Sequence, residues 1–277
     1  MNKKGKNLVL GSFSSFFYSF AITIGIYIAQ QELHVYKSTS NYVIFSLALL
    51  LIYLIELFIT YQQKSRKVEL NFNIKDEVNE LSHFFHKLVL PIVLYISLTG
   101  FGYYNFGSRI MALILGLTFF SFFILLINTK AFLEHKIEVE HKTHYVYDII
   151  KFLIFFLATN TLINIHESTG ANLMIFTGVE FALTFAVLLL MIWRIEKLRK
   201  LTFLFSFIGA LLVASAFFFI NNLEKLNPFQ VSLALIFLFY ISAAIIHHKI
   251  AKTLNFSVLS EYLIVIALVA AITYGVS

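Results

Sequence analysis

The amino-acid sequence predicts an all-α, polytopic integral membrane protein: a bundle of about nine transmembrane helices, N-terminus in and C-terminus out. Three observations predict it. Of 277 residues, 59% are hydrophobic and 13% are charged, whereas soluble domains carry about 25% charged residues. A water-soluble chain so poor in charge would leave its own surface uncovered. The apolar residues also fall into runs of about 20, the length a helix needs to cross roughly 30 Å of hydrocarbon. Finally, lysine and arginine concentrate in alternate breaks between these runs.

The first run, 8–29, follows Lys3, Lys4 and Lys6. It is longer than the roughly 7 to 15 residues of a signal-peptide core, and no A-x-A cleavage pattern follows, so it is read as a retained span. The second is 41–61. The third and fourth, 88–105 and 109–128, are divided only by FGSR. Gly107, Ser108 and Arg109 suit a turn, and the joined run is too long for one crossing. The remaining spans are 145–165, 172–193, 201–221, 229–247 and 257–276. Pro91 and Pro228 stand near span starts, where a missing N–H does little harm. The whole chain, 1–277, is thus read as a single transmembrane domain.

The longest polar stretch is 62–87. Within it Ile74, Val78, Leu81, Phe85 and Leu88 recur at alternating spacings of four and three, and Asn73 with Asp76 resembles a helix start. A short amphipathic helix over 74–87, lying on the inner surface, is expected.

Basic residues favour the cytoplasmic side. With the N-terminus inside, the inner segments hold 18 of the 21 lysines and arginines, including Lys151, and the outer side keeps Lys37, Arg109 and Lys225. An error in the span count would scramble this segregation. The net charge of +6 therefore reports topology, not a nucleic-acid partner. The lipid bilayer is the expected partner, and the basic inner loops suit a further membrane or cytoplasmic protein. The abundance of phenylalanine, isoleucine and lysine suggests a prokaryotic cytoplasmic membrane.

Helix contact in lipid depends on small residues four apart. Ala21, Gly25 and Ala29, then Ala112 and Gly116, then Ser206, Ala210 and Ala214, then Ala267, Ala271 and Gly275 form such stripes. Most of the 32 phenylalanines are expected to face lipid or fill gaps between helices.

Ionisable groups inside a membrane are costly, and each is read either as a buried hydrogen bond to a neighbouring helix, worth about 1 kcal/mol, or as a site for an ion or proton. Glu56 shares a helical face with Ser46, Tyr53 and Thr60. Glu180 shares one with Thr177 and Thr184, and Arg109, Asn160 and Asn164 are expected within its reach. Glu261, one turn into the last span, is expected to snorkel to the inner surface.

A second group is histidine-rich. Seven of nine histidines fall on the expected inner side. In EHKTHYVYDIIK, His141, His144 and Asp148 share one helical face, and His247 and His248 close the eighth span. Neutral imidazoles with a carboxylate suit iron or zinc. In outline this rim resembles membrane di-iron oxygenases and zinc-dependent lipid hydrolases. Desaturase-type enzymes, however, separate their paired histidines by three or four residues and add a later H-x-x-H-H, whereas this chain has two intervening residues and a bare pair. No residue role carries over. The rim is expected to be solvated, and no cofactor is predicted.

Cysteine is absent, which excludes disulfides, thiolate ligands and a cysteine nucleophile. G-x-x-x-x-G-K-[ST], H-E-x-x-H and G-x-S-x-G are absent too. The expectation is a non-enzymatic small transporter, a permeation protein or the membrane subunit of a larger assembly. The alternative is a membrane-embedded metalloenzyme acting on a lipid or isoprenoid at the cytoplasmic leaflet.

Overall fold

The computed structural model describes residues 3–36, 38–65, 89–105, 109–133, 144–193, 200–222, 226–250 and 253–255, with positions 260, 262 and 264. Among the described residues there are eight α-helices and no strand. They are α1 (Lys3–Tyr36), α2 (Thr39–Ser65), α3 (Leu90–Asn105), α4 (Arg109–Leu133), α5 (His144–Thr169), α6 (Leu173–Trp193), α7 (Lys200–Asn222) and α8 (Pro228–Ile250). The runs on either side of FGSR are separate helices, α3 and α4. The expected interfacial helix over 74–87 lies outside the described residues. So does most of the expected last span, of which Ser260, Tyr262 and Ile264 are helical.

The chain forms two compact units, Met1–Ile150 and Lys151–Ser277, with the boundary inside α5. In the first, each of α1 to α4 touches the other three. Two tyrosines stitch α2 to α3 reciprocally: Tyr42 donates to the Thr99 carbonyl at 2.6 Å and Tyr95 to the Ser46 carbonyl at 2.7 Å. Each bond gives a buried phenol the partner it needs, a net gain of about 1 kcal/mol. Ser46 and Tyr53 are both buried, so the polar face of α2 turns inward; the Glu56 side chain lies outside the described residues. Between α1 and α4, Phe16 meets Phe119 and Phe123 edge to face at 5.4 and 6.0 Å. That geometry aligns the ring edge of one with the ring face of the other.

Two glycines in this unit are required by close approach. A Cβ on Gly25 would lie 2.7 Å from Leu49, and one on Gly102 would lie 1.7 Å from Nε2 and 2.8 Å from Cδ of Gln30. Gln30 is itself buried, so it has little room to withdraw. Gly102→Ala is expected to cost about 1 to 3 kcal/mol by overpacking, read as a lower thermal midpoint in detergent; an unchanged midpoint would show that Gln30 moves freely.

The second unit is built on the large apolar residues Phe155, Leu188, Val213, Phe217, Leu235 and Phe239. Phe155 of α5 stacks on Phe239 of α8 with centroids 4.3 Å apart. Ser206, Ala210 and Ala214 are buried and form a true seam along α7. Neighbouring Gly209 lets Leu188 of α6 and Ser242 and Ile246 of α8 come close. Ala29 and Gly25 are likewise buried, but Ala21 is exposed. Ala112 and Gly116 are exposed, and a Cβ on Gly116 would meet nothing. That stripe packs against no described helix.

Local chemistry sets the helix ends. Asn227 and Gln230 form a reciprocal capping box at the start of α8, with Gln230 N–H donating to Asn227 Oδ1 at 2.9 Å and Asn227 N–H to Gln230 Oε1 at 3.1 Å. Pro228 follows as the first helical residue. Asn172 caps α6 through the Met174 N–H at 2.9 Å. α5 ends at Gly170, whose φ of 62° and N–H bond to the His166 carbonyl at 2.9 Å turn the chain back.

Among the described residues, four helical stretches are long and apolar enough to cross a membrane: Tyr147–Thr169, Leu173–Met191, Leu201–Asn222 and Pro228–Lys249. Their outer surfaces match that role. Leu201, Leu204, Ile208, Leu211, Leu212 and Phe219 are all exposed along α7, a continuous apolar band that water would not tolerate on a monomer.

Candidate functional site

The α5–α6 hairpin is antiparallel, and its register brings Thr159 against Glu180 and Lys151 against Leu190. Glu180 has no exposed surface. The Thr159 hydroxyl lies 3.0 Å from Oε1 and 3.2 Å from Oε2 and donates to the carboxyl group. Thr184, one turn along α6, is also fully buried. The face shared by Glu180 and Thr184 is therefore an interior face, and an ionisable group sits on it among apolar helices.

A second polar chain runs from α5 to α8. Asn164 donates to Asn160 Oδ1 at 3.0 Å, Asn160 donates to Ser232 Oγ at 3.2 Å, and Ser232 donates to the Pro228 carbonyl at 2.6 Å. Asn160 and Ser232 have no exposed surface. The asparagines expected near Glu180 are thus in the same unit, but Asn160 bonds towards α8. Glu180 instead meets Thr159, the next residue back on α5 and roughly 100° around the helix. The side chain of Arg109 lies outside the described residues, as does Glu261.

The structure adds a group that the sequence analysis counted only among the inner-side cations. Lys151 is fully buried on α5, and its ammonium donates to the Leu190 carbonyl of α6 at 3.1 Å. Leu190 is in the last turn of α6, where carbonyls lack intrahelical partners and the helix dipole is negative. A lysine inside YVYDIIKFLIFF was itself the available signal, because the expected span 145–165 already contained it.

The histidine candidates are less gathered. His141 lies outside the described residues. His144 opens α5, but its side chain is not described. Asp148 is half-buried and belongs to the first unit, whereas His247 and His248 belong to the second. The two rings stand 5.9 Å apart, and His248 Nδ1 is 2.8 Å from Thr253 Oγ1. Among the described residues no three histidine or acidic side chains gather as a metal site.

A family model described as "Protein of unknown function (DUF5656)" matches residues 22–276. The chain belongs to that family. No curated protein and no solved structure matches it. The description of the DUF5656 family names no activity, so the chemistry rests on the residues just described.

Proposed function

We propose that this DUF5656 chain is a small transporter or permeation protein of a prokaryotic cytoplasmic membrane, crossing it nine times with the N-terminus inside. Glu180 is the group that meets the cargo or its coupling ion. The observation that carries this reading is the complete burial of the Glu180 carboxyl between two membrane-length helices, with a threonine hydroxyl as its described partner. A carboxyl group at such depth is costly and is kept where an ion or proton uses it. Asn160, Asn164 and Ser232 supply further polar atoms within the same unit, and Glu56 is a second acid of the same kind. The lipid bilayer surrounds the bundle, and a partner subunit would dock on the basic inner loops. The reading holds no resident metal or cofactor.

Reconstitution in liposomes tests it. With gradients of H⁺, Na⁺ and K⁺ imposed in turn, the wild type is expected to dissipate at least one. Glu180→Gln keeps the volume and removes the ionisable group, and is expected to slow that flux by about tenfold or more. Equal flux in the variant would remove Glu180 from the path, and Glu56→Gln tested beside it would show whether that acid takes its place.

A further inference from the structure

One cavity in the second unit has a lining that the transport reading does not use. It has a volume of about 250 Å³ and is lined by His166, Glu167, Ile220, Asn221 and Leu226. These residues come from the end of α5, the end of α7 and the turn that leads into α8. Glu167 is exposed, and His166 and Asn221 are half-buried.

The hydrogen bonds around it settle what its polar atoms offer. His166 Nδ1 is 2.9 Å from the Ala171 carbonyl oxygen. A carbonyl only accepts, so Nδ1 carries the hydrogen and the neutral ring keeps its lone pair on Nε2. The loop that holds this arrangement is tied twice to the same residue. Gly170 donates its N–H to the His166 carbonyl while its left-handed φ turns the chain, and Ala171 then presents its carbonyl to the imidazole. Phe176 packs on the ring with centroids 5.5 Å apart. Backbone-carbonyl support of one ring nitrogen, with the other left as a ligand, is the usual environment of a metal-binding histidine.

Asn221 is fixed in the same sense. One Nδ2 hydrogen donates to the Phe217 carbonyl at 2.8 Å, which holds the amide in place and leaves Oδ1 and the second N–H for other partners. Glu167 adds a carboxylate. The lining therefore offers an imidazole nitrogen, a carboxylate and an amide oxygen as ligand atoms, while the His166 Nδ1–H is used on the Ala171 carbonyl. Such a set of ligand atoms suits a cation. The mixture of imidazole with oxygen ligands favours a first-row divalent metal over magnesium or calcium, which prefer oxygen alone.

We propose that this cavity is a binding site for a first-row divalent metal ion, held by His166, Glu167 and Asn221 at the α5–α6 end of the second unit. The site stands whether or not the chain transports anything. It is separate from His247 and His248, which lie at the opposite end of α8 from the Pro228 turn.

The test is titration of the full chain in detergent with Co²⁺, followed by visible absorption, in a His247→Ala/His248→Ala background that removes the adjacent histidine pair. Saturable binding is expected, and His166→Ala and Glu167→Gln are each expected to weaken it by about tenfold or more. Glu167 is exposed, so its variant keeps the test usable if His166→Ala fails to fold. Absence of saturable binding, or equal Co²⁺ affinity in well-folded His166→Ala or Glu167→Gln protein, would overturn the proposal.

Discussion

Thr159→Val is expected to lower the stability of the protein in detergent by about 1 to 3 kcal/mol, because it leaves the buried Glu180 carboxyl without its described donor. Adding Glu180→Leu to that variant is expected to restore the thermal midpoint to the wild-type value or above it. A valine facing a leucine removes both members of the Thr159–Glu180 pair, and the nearby Thr184 hydroxyl can turn back to the carbonyl four residues earlier in its own helix. Apolar replacement of a buried polar pair is often neutral or stabilising. Glu180→Leu alone should also be mild, since the Thr159 hydroxyl can turn back to the carbonyl four residues earlier in its own helix. The signs decide between two roles for the acid. A carboxyl present only to join two helices would make the double variant the least stable of the series. An acid kept for ion passage gives a stable double variant with no flux.

The largest loss of stability is expected at Lys151. Lys151→Met keeps the aliphatic stem and removes the charge from the last turn of α6, at a cost of about 1 to 2 kcal/mol. Lys151→Glu places a negative charge against carbonyls that already carry the negative end of the helix dipole, in a site with no access to water. The cost should reach several kcal/mol, enough to unfold a marginally stable chain. Yield and monodispersity on size exclusion, with thermal unfolding of whatever is recovered, provide the measurement. Wild-type yield and midpoint for Lys151→Glu would mean that the Leu190 contact carries no weight.

Much of the helical architecture was legible because its cause is local. Runs of apolar residues broken by Gly107 and Ser108, by Gly170 and by Asn227–Pro228 locate helices without any knowledge of what they touch. The inward polar face of α2 was legible in the same way, from the spacing of Ser46 and Tyr53. Neighbour relations were not. Nothing in the spacing says that α5 and α6 pair in the register that sets Thr159 on Glu180, or that Asn160 looks towards Ser232 on α8. The small-residue stripes make the point within one class of motif. Ser206, Ala210 and Ala214 are a seam because α6 and α8 crowd that face of α7, while Ala112 and Gly116 have the same spacing and face nothing. Lys151 was counted with the inner-side cations because charge was read along the chain. Its burial comes from the end of another helix, 39 residues away. His166 gave no signal at all, since what marks it is the carbonyl that Gly170 turns towards its ring.

Passage of an ion past Glu180 requires α6, α7 and α8 to be membrane crossings. Three crossings separate Ala171 from Lys249, both of which are exposed, and the cysteine-free chain gives a clean background for single-cysteine labelling. With a membrane-impermeant maleimide on intact cells, Ala171→Cys is predicted to label and Lys249→Cys to label only after permeabilisation. Labelling of both from outside, or of neither until the cells are opened, would put the two positions on one side and contradict the account.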